Sequence, residues 1–205
     1  EPGTWRFVFV MDGKISVQDD LELTDGGGAA SGRYNDLPHG HFAYFPADHR
    51  HKITSSEGAS LLIYEKKYVP PTGGVAEAIG PNPPTPRFLV GYTDDLPNIE
   101  TPGEVFGLKK LLPQSLEWDV NFHVMDFNPG EHLYVKEIHY NQHGLMLLEG
   151  KGVYRLGDDW YSVQAGDVIW MAPYVTQWYA ALGYKRSRYI ILKDTNRDPI
   201  NTNTP

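Results

Sequence analysis

EIHYNQHGLMLLEG, residues Glu137–Gly150, sets one carboxylate and two imidazoles ahead of an apolar run that ends in a glycine turn. Glu137, His139 and His143 stand at i, i+2 and i+6. Side chains on a strand alternate with a period of two, so Glu137 and His139 point to one face. His143 shares their parity; it can open the next strand and converge on the same interior point. An isolated Glu-x-His is more often a cross-strand pair on a solvated turn than a metal site. The surroundings shift that balance. Pro129-Gly130 turns the chain before Glu137, Glu149-Gly150 turns it after the apolar run, and QAGDVIWMAP leads on to Gln177.

Outward from this stretch the chain is a succession of short β-like segments. FLVGY, VNFHVMDF, LYVKEIHY, GLMLLEG, KGVYRL, WYSVQ, DVIWMA, QWYAAL and SRYIILKD are apolar or alternating runs, mostly punctuated by Gly, Pro, Asp or Asn. Earlier, Trp5–Val10 and Lys14–Val17 read as a hairpin around Asp12-Gly13. LTDGGGAASG (Leu23–Gly32) reads as a loop, and HFAYFP, HRHKIT and ASLLIYEKKYV as further strands. Helix is expected only as a short piece near Glu104–Leu112 or Pro113–Glu117. Six of the sixteen prolines fall in PPTGGVAEAIGPNPPTP, Pro70–Pro86, which reads as a connector crossing the surface in extended form. Many short strands at regular spacing specify an all-β sandwich or closed barrel.

An internal repeat supports two copies of one β unit. GHFAYFPADHRH (Gly40–His51) and GDVIWMAPYVTQ (Gly166–Gln177) share a Gly, an apolar–aromatic strand, a Pro and a polar residue eleven positions after the Gly. Both lead through polar sequence to an apolar strand, ASLLIY or RYIILK.

Composition narrows the chemistry. Among 205 residues there is no cysteine, so disulfides and thiolate metal sites are excluded and any bound metal must use nitrogen and oxygen. A formal charge of −8 without a long charge run argues against nucleic acid or an anionic membrane surface as the main partner. No apolar run reaches the length of a membrane-spanning helix. The chain begins at Glu1, directly ahead of the strand-like WRFVFV, and a preceding segment is expected.

The motifs resemble the cupin superfamily, whose double-stranded β-helix barrels carry two motifs. The first is Gly, H-x-H, a Glu and a Gly; here Glu137-x-His139-x3-His143-x6-Gly150 keeps the spacing with the ligand types permuted. The second is P-x-G, a Pro and a His; here Gln164-Ala165-Gly166, Pro173 and Gln177 stand in those places. All four ligand positions retain lone-pair donors, whereas random decay would more often leave apolar residues. Two nitrogens and two oxygens suit an octahedral ion: Mn²⁺ fits best, Fe²⁺ or Ni²⁺ remain open, and Zn²⁺ prefers fewer ligands.

YNQHG, RLGDDWY and QAGDVIWMAP further resemble the (S)-ureidoglycine aminohydrolase family, the bicupin enzymes of plant and bacterial purine and allantoin breakdown. That resemblance implies a complete C-terminal cupin binding Mn²⁺ through Glu137, His139, His143 and Gln177, and an N-terminal cupin without a catalytic metal. The expected layout is a partial first cupin over 1–69, its first motif lying upstream of Glu1. A crossing over 70–103 and the metal-bearing cupin over 104–198 follow. The resemblance also implies manganese-dependent hydrolysis of ureidoglycine to ureidoglycolate and ammonia, and a homo-oligomer. The compartment it implies is the endoplasmic reticulum in plants and the cytoplasm in bacteria.

Ureidoglycine is an aminal, so a divalent ion can chelate it and act as a Lewis acid. On RYIILKD, alternation places Tyr189, Ile191 and Lys193 on one face; if that face is interior, the Lys193 ammonium needs an anion such as the substrate carboxylate. The resemblance supports Tyr154, Tyr189 and Lys193 as substrate contacts; Glu137 doubles as ligand and proton acceptor, and with Lys193 makes the catalytic pair. His51 aligns with Gln177, and His39, His41 and His49 cluster near it as surface or interface histidines. His123 and His132 read as structural. Two other classes stay open: a cupin of another reaction, such as an Fe²⁺ dioxygenase or isomerase, and a non-catalytic binding protein.

Overall fold

The computed structural model describes residues 1–19 and 32–198. The loop expected at Leu23–Gly32 lies outside the described residues except for Gly32. The all-β expectation holds, with fourteen strands and two short helical pieces among the described residues. The chain divides into two compact units, one formed by Glu1–Val69 with Thr85–Asp95, the other by Pro70–Pro84 with Leu96–Pro205.

The first unit is organised by β1 (Thr4–Asp19), with β2 (Arg33–Pro38), β3 (His41–Phe45), β4 (His51–Thr54), β5 (Ala59–Lys67) and β6 (Leu89–Tyr92) around it. The hairpin expected at Asp12-Gly13 does not form. Instead β1 runs straight through, pairing with β5 from Thr4↔Lys67 to Gly13↔Ala59, with a register shift between Val10 and Asp12. Gly13 takes φ +73°, and a Cβ there would lie 2.4 Å from the Gly58 carbonyl oxygen. The bulge falls at Met11, between paired Val10 and Asp12, and the strand continues through Gly13 instead of ending in a turn. The first half of β1 pairs with β3 and β5, the second half with β2 and β4. Val8, Val10, Ile15, Val17, Ala43 and Phe45 form the core enclosed by this bent strand.

In the second unit, α1 (Gly73–Ile79) appears inside the segment expected to be an extended connector. VAEAI has good helix formers, and the Gly80 backbone at φ +92° stops it. The helices considered at Glu104–Leu112 and Pro113–Glu117 are absent. The first contains β7 (Gly107–Lys110), where alternating Leu108 and Lys110 suit a sheet edge, and the second is an irregular turn.

The remaining strands are β8 (Val120–Phe127), β9 (His143–Glu149), β10 (Lys151–Leu156), β11 (Asp159–Gln164), β12 (Val168–Met171), β13 (Gln177–Leu182) and β14 (Ser187–Asp194). They build a five-stranded sheet in the order β12-β9-β14-β8-β7 and a three-stranded sheet in the order β11-β10-β13. The near-continuous apolar run of β14 suits its central place, because a middle strand is covered on both faces. Leu145, Leu147, Tyr189 and Ile191 from the larger sheet share one core with Tyr154, Tyr179 and Ala181 from the smaller. Gly152 permits the close approach inside the smaller sheet: a Cβ there would sit 2.5 Å from the Tyr179 hydroxyl.

LYVKEIHY was expected as a strand and is not one. Only two isolated bridges, His132↔Ala180 and Glu137↔Gln177, tie this stretch to a sheet. Leu133 is buried at 2%, but Tyr134, Val135 and Ile138 are all about 60% exposed (62%, 60% and 61%), so past Leu133 there is no alternating buried face to hold a ladder in register. The repeat is visible in the backbone. Gly40 and Gly166 both take positive φ, +85° and +96°. The residues eleven positions on, His51 and Gln177, each open a strand.

Candidate metal and substrate site

Glu137 and Gln177 are brought side by side by backbone, not by a shared strand. Glu137 N–H donates to the Gln177 carbonyl (2.9 Å) and Gln177 N–H donates to the Glu137 carbonyl (3.0 Å). Directly opposed residues in such a pair put their side chains on the same side. His139 is held two residues on, where its carbonyl accepts from Tyr174 N–H at 2.9 Å. His143 opens β9, opposite Lys193 on β14 and Met171 on β12.

The side chains then converge. His139 Nε2 and His143 Nε2 are 3.2 Å apart, with the ring centroids 4.8 Å apart and the rings nearly perpendicular. The Gln177 amide nitrogen lies 2.8 Å from His139 Nε2 and 3.4 Å from a Glu137 carboxylate oxygen. That oxygen is 3.8 Å from His139 Nε2. His143 and Gln177 are 3% and 2% exposed, while the Glu137 and His139 side chains keep 38% and 22% of theirs open to solvent. Among the described residues no group of three or more His, Asp or Glu side chains closes into a metal cluster by itself. The convergence is two imidazoles and an amide, with the carboxylate at its edge.

The donor chemistry of this group fits a cation. His139 Nδ1 contacts the Asn141 carbonyl at 3.1 Å and His143 Nδ1 contacts the Leu192 carbonyl at 3.0 Å. A carbonyl accepts only, so each Nδ1 carries the hydrogen and each Nε2 keeps its lone pair. Two lone pairs therefore face each other across 3.2 Å, an arrangement that wants a positive charge between them. Neighbouring ligands of an octahedral ion with bonds of about 2.1 Å lie about 3 Å apart, close to the observed separation. Backbone hydrogen bonds that fix the metal-free nitrogen are the usual support of a ligating histidine. Rotating the Gln177 amide by half a turn would present its oxygen to the same point.

Electrostatics agree with this arrangement. Burial, reinforced by the Lys193 ammonium, pulls the His143 pKa down to about 4, so the ring is neutral and able to ligate near pH 7. Hydrogen bonding with His139 holds the Glu137 carboxyl below its usual range against the opposing effect of burial, with Lys193 also favouring the anion. Burial raises the pKa of both Tyr154 and Tyr189, which stay protonated as hydroxyl donors.

A cavity of about 320 Å³ opens beside the group, walled by Glu137, His143, Tyr154, Gln177, Tyr189 and Lys193 among others. The Tyr154 hydroxyl donates to the Gln177 amide oxygen at 3.4 Å. Six of the seven residues singled out in the sequence thus line one cavity, and His139 reaches the cluster from its rim. A larger depression of about 760 Å³ around Lys151, Gln164 and Tyr184 contains none of them. Lys110, not singled out in the sequence, and His123, read there as structural, also line the smaller cavity. Parity on β8 was the available signal: His123 shares a face with Asn121 and Met125, but only its neighbours across the sheet show that this face is interior.

Comparison with known proteins places the chain. No family model matches it. It is 50% identical over 198 residues to a probable (S)-ureidoglycine aminohydrolase of Oryza sativa, covering 97% of the chain and 58% of the rice protein. It is 30% identical over 203 residues to the (S)-ureidoglycine aminohydrolase of Escherichia coli, covering 96% of the chain and 69% of that protein. The chain belongs to the (S)-ureidoglycine aminohydrolase family. Its fold agrees with that of the solved E. coli protein Ylba at a TM-score of 0.73 and 26% identity, over 96% of the chain and 70% of that structure. Members of the aminohydrolase family are thus matched along nearly all of this chain, which spans less than two thirds of the rice relative's length.

Proposed function

We propose that the second unit is the metal-bearing cupin of an (S)-ureidoglycine aminohydrolase. It would bind Mn²⁺ through Glu137, His139, His143 and Gln177 and release ammonia from ureidoglycine to leave ureidoglycolate. The observation that carries this reading is the pair of Nε2 lone pairs facing each other at 3.2 Å beside the Gln177 amide. In a member of this family, that pair gives the carboxylate and amide bridged at Glu137↔Gln177 a common ion to hold. Among the described residues of the first unit, no comparable group of donors contributes to this reading.

A bound divalent ion would supply Lewis acidity toward the carbon that carries the leaving amine. The chain's own groups would do the rest. The Lys193 ammonium, on the cavity wall, holds the substrate carboxylate by charge. Tyr154 and Tyr189, protonated and buried at 1% exposure each, present hydroxyl donors that fix the ureido group and exclude bulk water. Glu137, held ionised and partly open to solvent, is placed to accept a proton from the attacking water.

The test is metal analysis of the purified protein together with ammonia release from freshly prepared ureidoglycine. Stoichiometric manganese with metal-dependent ammonia release is expected. Iron with oxygen consumption would favour the dioxygenase class instead, and neither metal nor turnover would favour a binding protein.

A further inference from the structure

Three cationic or basic groups share one corner of the cavity although they lie on three different strands. Lys110 on β7 is opposite His123 on β8. His123 is in turn opposite Ile191 on β14, and Lys193 follows Ile191 by two residues on the same face. Leu108, Met125 and Tyr189 continue the same inner face as apolar core. The inner surface is therefore divided along the strands, with hydrocarbon at one end and Lys110, His123 and Lys193 toward the other.

This corner is short of anions. Lys193 feels Glu137 as its favourable charge and Lys110 as an unfavourable one. The Lys110 ammonium meets the neutral Gln114 amide oxygen and no carboxylate among the described residues. Glu104, also on the cavity wall, accepts from Tyr134 N–H at 3.1 Å and is not among the charges that act on Lys110, His123 or Lys193. His123 makes no hydrogen bond among the described residues, and both lysines act on it to keep it neutral. If Glu137 serves a metal ion, two ammoniums and an unpartnered imidazole are left facing the cavity. Like charges gathered in a desolvated cleft are unfavourable until an anion joins them.

We propose that Lys110 and His123 complete, with Lys193, an anchor for the substrate's carboxylate, and that this corner selects ureido compounds bearing a carboxylate. The inference rests on the proposed function for the nature of the rest of the ligand. The two ammoniums supply charge, and the neutral imidazole supplies one N–H donor that neither lysine can replace in direction. Lys110 is on the edge strand β7, so it can be altered without opening the core.

The experiment is isothermal titration of the Mn²⁺-supplemented protein with ureidoglycolate, with N-(hydroxymethyl)urea, which differs only in lacking the carboxylate, and with glycolate. The wild-type chain is expected to bind ureidoglycolate far more tightly than N-(hydroxymethyl)urea. Lys110→Gln should weaken ureidoglycolate about tenfold or more, the scale of one charge-assisted hydrogen bond, and leave N-(hydroxymethyl)urea unchanged. Lys110→Arg should restore much of the loss, and His123→Phe should weaken the carboxylate ligands alone. Equal weakening of both ureido ligands, or no change in any variant, overturns the anchor. Glycolate binding that depends on Lys110 in a protein that does not turn over ureidoglycine keeps the anchor and overturns the ureidoglycine reading. A wild-type protein that binds neither ureidoglycolate nor glycolate overturns both.

Discussion

Replacing Gln177 by Leu tests the four-ligand site without touching either imidazole. The side chain is 2% exposed; its amide contacts His139 Nε2 at 2.8 Å and Glu137 at 3.4 Å and accepts from the Tyr154 hydroxyl at 3.4 Å. Leucine of similar volume keeps the packing but strands the Tyr154 hydroxyl, at a cost of about 1–3 kcal/mol for an unpaired buried polar group. For a chain of this length that lowers the metal-free Tm by roughly 2–12 °C. The larger effect is on the ion. Altering even the groups that support a ligand typically weakens metal binding about 10–100-fold, and loss of a ligand should reach the upper end. At a Mn²⁺ concentration near 100 times the wild-type Kd, bound metal stabilises the folded chain by about 2.7 kcal/mol; after a 100-fold loss of affinity the gain falls to about 0.4 kcal/mol. The manganese-induced rise in Tm should therefore shrink from roughly 5–11 °C to about 1–2 °C. Thermal scans with and without Mn²⁺, with calorimetric titration of stripped protein, read this directly. An undiminished manganese shift in Gln177→Leu would remove the amide from the ligand set and with it the reasoning built on the backbone bridge.

Other outcomes follow from the same geometry. Tyr154→Phe removes a buried hydroxyl and should lower kcat/KM about 10–100-fold while the manganese-dependent Tm shift is kept, measured by ammonia release and thermal scans. Burial, reinforced by the two lysines, holds the His123 pKa at about 3, below its unfolded value. The unfolded chain thus takes up the proton first as pH falls. The stability contributed by neutral His123 is full above about pH 6.5 and drains away toward pH 3, so the urea midpoint of His123→Phe should fall less steeply in acid than that of the wild type. Gly150 has φ +76°, and a Cβ there would lie 2.6 Å from the Arg186 carbonyl oxygen. Gly150→Ala should accordingly lower Tm by several degrees in denaturation scans, through backbone strain at the β9–β10 turn.

Most strands of the second unit were legible because each is an apolar run between turn residues. Two stretches misled for opposite reasons. Asp12-Gly13 has the composition of a hairpin turn, but β1 continues through it, pairing with β5 as far as Gly13↔Ala59 after a register shift between Val10 and Asp12. LYVKEIHY has the composition of a strand, but after the buried Leu133 its apolar side chains face solvent, and among the described residues two isolated bridges hold it. The four proposed ligands were picked out by motif spacing and Tyr154, Tyr189 and Lys193 by strand alternation and family resemblance, and Glu137 meets Gln177 by a bridge and not by the strand expected. Lys110 and His123 were not legible. Their meaning comes from lateral register across three strands, which nothing local to either residue encodes.

The bridge at Glu137 has a further meaning for traffic into the cavity. Between the end of β8 and the start of β9, the chain is fastened by a few main-chain contacts in place of a ladder. Regions with so few cooperative fastenings open at a fraction of the energy needed to unfold the whole. Releasing this strap would swing a carboxylate and one imidazole away together while the other imidazole and the amide stayed rooted at the heads of β9 and β13. A bound ion would then exchange by half-release, and fast hydrogen exchange at the Glu137, Tyr174 and Gln177 amides would be its trace.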